Sequence, residues 1–290
     1  MTLTAFATVW KAFQQIKEYL KIDSFFPVYI LVGFIAQIID GALGMAYGVS
    51  ANAFLLSIGI PPASASASVR VTEMVTTAIS GVSHWRLGNM NWNLVKRLLI
   101  PGMLGGIVGA YLLTSIDGNV IKPFIAIYLL ILGIVILVKA FTTENHNTVK
   151  RYFVTLFKAV TQGERNAVED HAVLVSALGS VGGFLDAIGG GGWGPIVTTT
   201  LVARGRDPRM TIGSVILSEF FVAFAATITF VLRLNFSQYW QIILGLLIGG
   251  AIAAPLGARV TKALAPKMLM IMVGLLIIVL SIIIIHSVWG

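Results

Sequence analysis

The chain has 290 residues, of which 57% are hydrophobic and only 11% charged, and its mean hydropathy is +0.90. A soluble domain carries about a quarter charged residues, so this composition excludes one and requires a polytopic membrane protein. The net charge of +8 lies in single or paired basic residues between apolar spans, which excludes a nucleic-acid-binding face, and zero cysteines exclude disulfides, thiolate metal sites and cysteine nucleophiles.

In chain order, residues 1 to 24 come first. Phe6, Trp10, Phe13 and Leu20 recur at helical spacing among Lys11, Lys17, Glu18 and Lys21, which fits an amphipathic helix lying in the membrane interface, the alternative being a frayed tail. Four apolar regions follow, at about 27 to 59, 66 to 85, 98 to 115 and 120 to 140. A polar linker spans 142 to 170, with a short amphipathic helix expected around Val149 to Val160. Four more apolar regions then occupy 172 to 203, 210 to 232, 237 to 258 and 268 to 288. Leu234 to Ala258 and Met268 to Gly290 contain no Asp, Glu, Lys or Arg; each exceeds the roughly 20 residues that cross a hydrocarbon core.

The two sets of four are a duplication. An offset of 146 positions superposes Asp40 on Asp186, Gly44 on Gly190, Gly48 on Gly194, Gly59 on Gly205 and Pro62 on Pro208. The same offset matches Ser68 with Ser214, Glu73 with Glu219 and Asn89 with Asn235, and brings Tyr47 onto Trp193. The expected fold is therefore an all-α transmembrane bundle of two homologous repeats, residues 25 to 141 and 171 to 290, joined by the linker.

The first region of each repeat is too long for one span and is interrupted midway by glycines, at Gly41, Gly44 and Gly48 and again at Gly189 to Gly192 and Gly194. Glycine costs about 1 kcal/mol against alanine inside a helix, so each region is either a kinked span or two half-helices folded as a hairpin. Charge placement arbitrates between topologies. Single crossings divide the Lys and Arg residues twelve to eight between the faces, whereas returning hairpins divide them fourteen to six. The second division favours inverted repeats, with both termini periplasmic and the linker cytoplasmic.

Backbone that leaves a helix inside lipid must be satisfied by protein or by a wet cavity, so both breaks belong at the bundle centre. Amide groups freed there can hold an anion. Candidate substrate-binding residues are Gly44, Tyr47, Gly48, Asn52, Arg70, Gly189, Gly190, Gly191, Gly192, Trp193 and Thr198. On this reading, valine at Gly191 or Gly192 abolishes uptake without unfolding the chain. Other glycines, Gly102, Gly105, Gly106 and Gly109 and then Gly245, Gly249, Gly250 and Gly257, fit close helix packing instead.

Ionisable residues at membrane depth are functional candidates, and Asp40, Glu73, Asp186 and Glu219 are assigned to ion or proton coupling. The aspartates have a second reading, as acceptors for loop amides that cap a half-helix. Arg70, three residues before Glu73, fits an ion pair or a substrate contact. His84, Trp85, Arg86 and His286 fit interfacial anchoring. The glycine run is no phosphate loop, because no Gly-Lys-Ser/Thr follows it, and no metal or cofactor is expected.

The segments DGALGMAYG, ASASVRVTE and SGVSHWRLGN, with FLDAIGGGGWGPIV and IGSVILSEFF in the second repeat, resemble the sulfite exporter TauE/SafE family, also called the toluene sulfonate uptake permease family or DUF81. The resemblance runs from about residue 28 to 288. It implies secondary transport of a small sulfur-containing anion, such as sulfite, thiosulfate, sulfoacetate or another organosulfonate, across a bacterial inner membrane. It departs from the second repeat where Leu43, Met45 and Ala46 dilute the first glycine cluster and Val49 stands opposite Pro195. Lipid and the anion are the expected partners, with a homo-oligomer left open. The rival functions are a carrier of divalent metal or another small anion, with the four acids as oxygen ligands, or a channel. An intramembrane enzyme is a weaker alternative, because no His-Glu-x-x-His or Gly-x-Ser-x-Gly motif is present.

Overall fold

The computed structural model describes residues 24–43, 45–142, 167–204, 206–263 and 266–289, and all regular structure among them is helical. The interfacial helix expected over 1 to 24 and the helix expected within the linker lie outside the described residues, apart from the turn at Ser24.

The first repeat comprises α1 (Phe26–Leu43), α2 (Tyr47–Ser57), α3 (Pro62–Arg86), α4 (Trp92–Ser115) and α5 (Gly118–Thr142). The second comprises α6 (Ala167–Gly189), a π-turn (Gly194–Thr198) continuing into α7 (Thr199–Ala203), then α8 (Pro208–Arg233), α9 (Trp240–Ala263) and α10 (Pro266–Trp289). Shifted by 146, the ends of α1 and α6 coincide, as do those of α2 and α7 and the starts of α3 and α8. Local chemistry sets these boundaries. Pro62 and Pro208 occupy the first turns of α3 and α8, where a missing amide hydrogen is harmless. Asn91 caps α4 by accepting from the Leu94 amide at 3.1 Å, and Asp207 caps α8 through Met210 at 2.8 Å.

Among the described residues five helices are long and apolar enough to cross a membrane, with spans at Trp92–Ser115, Gly118–Phe141, Ala172–Gly189, Arg209–Arg233 and Lys267–Trp289. α3 is long enough but not apolar enough, because it buries Ser64, Ser66, Ser68, Arg70, Thr72 and Glu73. Such a helix is stable in a bilayer only where other helices surround it.

Packing directions follow from the close contacts. α1 runs alongside α9 in the same direction: Gly245 faces Tyr29, Gly249 faces Ile30 and Phe34, and Gly250 faces Gln37. α4 runs with α6 in the same way, Gly179 against Leu98, Gly183 against Gly102 and Gly109 against Phe184 and Ala187. The glycines along these seams are therefore packing residues, as expected, since methyls at Gly105, Gly109 and Gly249 would meet the backbone of the facing helix. α5 and α10, equivalent helices of the two repeats, run antiparallel. Gly133 lies beside Ile277, Gly274 beside Leu137, and Lys122 Nζ reaches Ser287 Oγ at 3.3 Å.

Both broken regions fold back as hairpins, which resolves the alternative left by the sequence. α4 and α6 start on the same face of the bundle, and that face also holds the end of α3, the end of α5 and the start of α10, where Lys267 lies over the Phe141 ring. α1 begins on the opposite face with the start of α9, and α2 ends there as well, because α3 starts there. α6 begins on the first face, and α7 returns to it before α8. The Gly213 backbone of α8 sits against Asn89 at that face, and Arg233 at its far end donates to Ser115 Oγ at 3.0 Å on the other. Hereafter the linker face is the one where α5 ends and α6 begins, and the terminal face is its opposite.

Candidate functional site

The tips of the two hairpins touch backbone to backbone. A methyl at Gly191 would fall against the Val49 nitrogen and the Gly48 carbonyl carbon, and one at Gly48 would meet the Gly190 carbonyl oxygen, Glu73 and Arg70. Gly190 takes φ 68°, and Ala46 takes φ 86° just before α2. Gly190 accepts this left-handed geometry freely, whereas at Ala46 it costs about 1–2 kcal/mol. Side chains tie the tips further. Asn52 Nδ2 donates to the Gly189 carbonyl at 2.5 Å, Ser66 Oγ to the Ala187 carbonyl at 2.5 Å, and Tyr128 OH to the Gly191 carbonyl at 2.8 Å.

These contacts alter the role of the glycine run. Sequence reasoning gives it bare backbone exposed to a ligand, with valine tolerated by the fold. Instead the Tyr128 side chain packs at Gly189 and Gly192, Asn52 at Gly190 and the opposite tip at Gly191, and of these four only Gly191 and Gly192 also border a cavity. Valine at Gly191 has no room beside main-chain atoms, so the expectation of a folded but inactive Gly191→Val protein is withdrawn on steric grounds.

The break amides are turned toward the protein's own acids. Asp186 Oδ1 accepts from the Trp193 amide at 3.0 Å, and the Gly192 amide reaches the same carboxylate. In the first repeat Asp40 is bonded by the Tyr47 backbone and Glu73 by that of Gly48. The aspartates thus cap the re-entrant half-helices, the second of their two readings. Each half-helix N-terminus is met by a carboxyl oxygen, supplied by a side chain of this chain.

Arg70 sits at the junction. It is fully buried and pairs through Nη1 with Asp186 and Glu73. Nε and Nη2 of the same guanidinium have no hydrogen-bond partner, and buried donors are rarely left so. The offset that pairs Asp40 with Asp186 places Ile216 where the first repeat has Arg70, so one guanidinium serves both repeats.

A cavity of about 270 Å³ opens beside this junction. Asp40, Glu73, Asp186 and Glu219 all line it, with Tyr47, Gly48, Gly191, Gly192 and Thr198. It continues along α3 past Thr76, Thr77 and Ser80 to His84 in the last turn, toward the linker face. Of the residues singled out in the sequence, Asn52, Arg70, Gly189, Gly190 and Trp193 do not line it and stand behind its wall. Trp193 is wholly buried, its indole Nε1 donating to the Val215 carbonyl at 3.0 Å. Gly44 lies outside the described residues. His84, assigned to interfacial anchoring, lines the cavity.

Sequence reasoning missed Gln37, Thr76, Thr77, Ser80 and Tyr128. The α3 group was findable, because Thr76, Thr77 and Ser80 follow Glu73 at helical spacing. Tyr128 gave no signal, since a single tyrosine within an apolar span reads as lipid-facing or core.

Comparison with known proteins identifies a family. The family model described as Sulfite exporter TauE/SafE matches residues 29–284. A protein of Bacillus subtilis (strain 168) named "Probable membrane transporter protein YtnM" is 40% identical over 256 residues, covering 88% of this chain and 80% of its own. No solved structure matches. The chain belongs to the TauE/SafE family and is a membrane transporter.

Proposed function

We propose that this TauE/SafE transporter carries a small sulfur-containing anion, such as sulfite or an organosulfonate, by alternating access between two inverted repeats, with protons moving alongside. The antiparallel run of the equivalent helices α5 and α10 supports the inversion, because repeats related by an axis along the membrane normal would make them parallel. The central observation is Arg70, fully buried at the hairpin tips with Nε and Nη2 unpartnered, behind Glu73 and Asp186, which line a cavity of about 270 Å³ that Arg70 itself does not line. A guanidinium matches a planar or pyramidal oxyanion with two parallel donors.

Charge arithmetic gives the protons a role. Four carboxylates line the cavity around one guanidinium, so an anion arriving while all are ionised adds to an uncompensated excess of negative charge. Buried charge without a partner is costly. Protonating Glu73 would release both Arg70 and the Gly48 amide, and the incoming anion would take the place of the departing carboxylate charge. The acid is then a stand-in for the substrate, and proton uptake exchanges one for the other.

The test is flux in liposomes containing the purified chain, across sulfite, thiosulfate and sulfonates, with and without a proton gradient. Saturable movement of at least one of these anions, stimulated by the gradient, is the expected result. Movement of divalent cations alone would overturn the reading. In the same assay Glu219→Gln, which removes one titratable group from the cavity wall, should flatten the dependence of flux on pH. A pH profile unchanged from that of the parent would take Glu219 out of the coupling.

A further inference from the structure

We infer that the cavity belongs to a route open to the linker face, and that Val222, Ala223, Ala226 and Phe230 on α8 are the shut gate of a second route, leading to the terminal face. The inference rests on the transporter reading above but not on the identity of the substrate. The route open here is walled on α3 by Thr76, Thr77, Ser80 and His84. An offset of 146 carries those four positions to Val222, Ala223, Ala226 and Phe230. If equivalent helices exchange roles when the transporter turns over, these are the residues that would line the opposite route.

Their present state is that of a seal. All four are 0% exposed. Val222 packs at Gly102 and Gly106 of α4, Ala226 lies near Gly106, and Phe230 shares one apolar cluster with Ala110 and Leu113 of the same helix. Opening the second route requires this stripe of α8 to leave α4 and α3 to close over its own polar stripe. The two stripes also differ in chemistry. The open side offers hydroxyls and an imidazole that hold water, while the shut side is wholly apolar, so it stays dry until the helices part. Phe230, the bulkiest of the four, stands furthest along α8 toward the terminal face and acts as the plug.

The absence of native cysteine makes accessibility easy to read. Single cysteines replace Ser80 and Ala226 in the full chain, reconstituted in one orientation and treated with a charged, membrane-impermeant methanethiosulfonate. At rest Ser80→Cys should react from the linker face, whereas Ala226→Cys should react from neither. Adding Phe230→Ala to Ala226→Cys should raise its labelling rate from the terminal face by 10-fold or more, with no substrate present. Ala223→Cys serves as a second reporter if Ala226→Cys does not yield a monodisperse protein. Reaction of Ala226→Cys from the linker face, or of Ser80→Cys from the terminal face at rest, overturns the inference. So does a rate unmoved by Phe230→Ala in both reporters. Exposure by Phe230→Ala in a protein that moves no sulfur anion would keep the gate and discard the substrate class. Anion flux without that exposure would do the reverse.

Discussion

Arg70→Ala should abolish transport and also destabilise the fold by about 3–5 kcal/mol, the usual consequence of removing one partner of a buried ion pair. Arg70 is 0% exposed and holds Asp186 of α6 against Glu73 of its own helix. Without it two carboxylates remain at membrane depth with no counter-charge, and the link between α3 and the second hairpin is lost. The double variant Arg70→Ala, Asp186→Asn separates the two roles, because it removes a stranded charge along with the guanidinium. Its melting temperature should recover in large part while transport stays absent. Transport by either variant at near-parent rates would remove Arg70 from substrate binding. Arg70→Lys keeps the charge and the single nitrogen that pairs with both acids but loses Nε and Nη2, the donors left free for a substrate, so it should fold and transport poorly.

The helical membrane bundle and the breaks in its two long apolar regions were legible because each leaves a local signature. Two regions too long for one span, glycines in their middles and basic residues collected on one face are features of composition and spacing, and the offset of 146 makes each visible twice. Partnership was harder to read. Arg70 and Glu73, three residues apart, announce a pair, but Arg70 and Asp186 lie 116 positions apart with nothing in either segment to join them. The direction of the break amides was illegible for a related reason. A half-helix N-terminus attracts any anion, and the sequence does not say whether a ligand or a neighbouring carboxylate fills it. Here Asp40, Asp186 and Glu73 do. The asymmetry of the repeats was visible in residues but not in meaning. Ile216 opposite Arg70, and Phe230 opposite His84, become informative only when one stripe lines a cavity and the other is sealed.

Gly191→Ala should be nearly as damaging to the fold as loss of Arg70, and more damaging than the same change one residue later. The added methyl at 191 would meet the main chain of Gly48 and Val49. Neither can move without displacing the start of α2. Overpacking of side chains costs about 1–3 kcal/mol, and a collision with fixed backbone belongs at or above the top of that range. At Gly192 the methyl meets the end of the Tyr128 side chain, with Ile196 next at 3.5 Å. That hydroxyl can swing away at the loss of its hydrogen bond to the Gly191 carbonyl, worth about 1 kcal/mol. Thermal unfolding of detergent-purified protein should therefore rank the parent and Tyr128→Phe close together, Gly192→Ala below them and Gly191→Ala last. Equal melting temperatures for Gly191→Ala and the parent would mean that the two hairpin tips do not touch at Gly48, and the junction around Arg70 would have to be drawn again. The ranking bears on transport as well, since contact between the tips sets where Glu73 and the Gly48 amide stand relative to the guanidinium. A variant that folds with the tips pushed apart should keep its charges and lose its affinity, with the concentration for half-maximal flux rising while the pH profile holds.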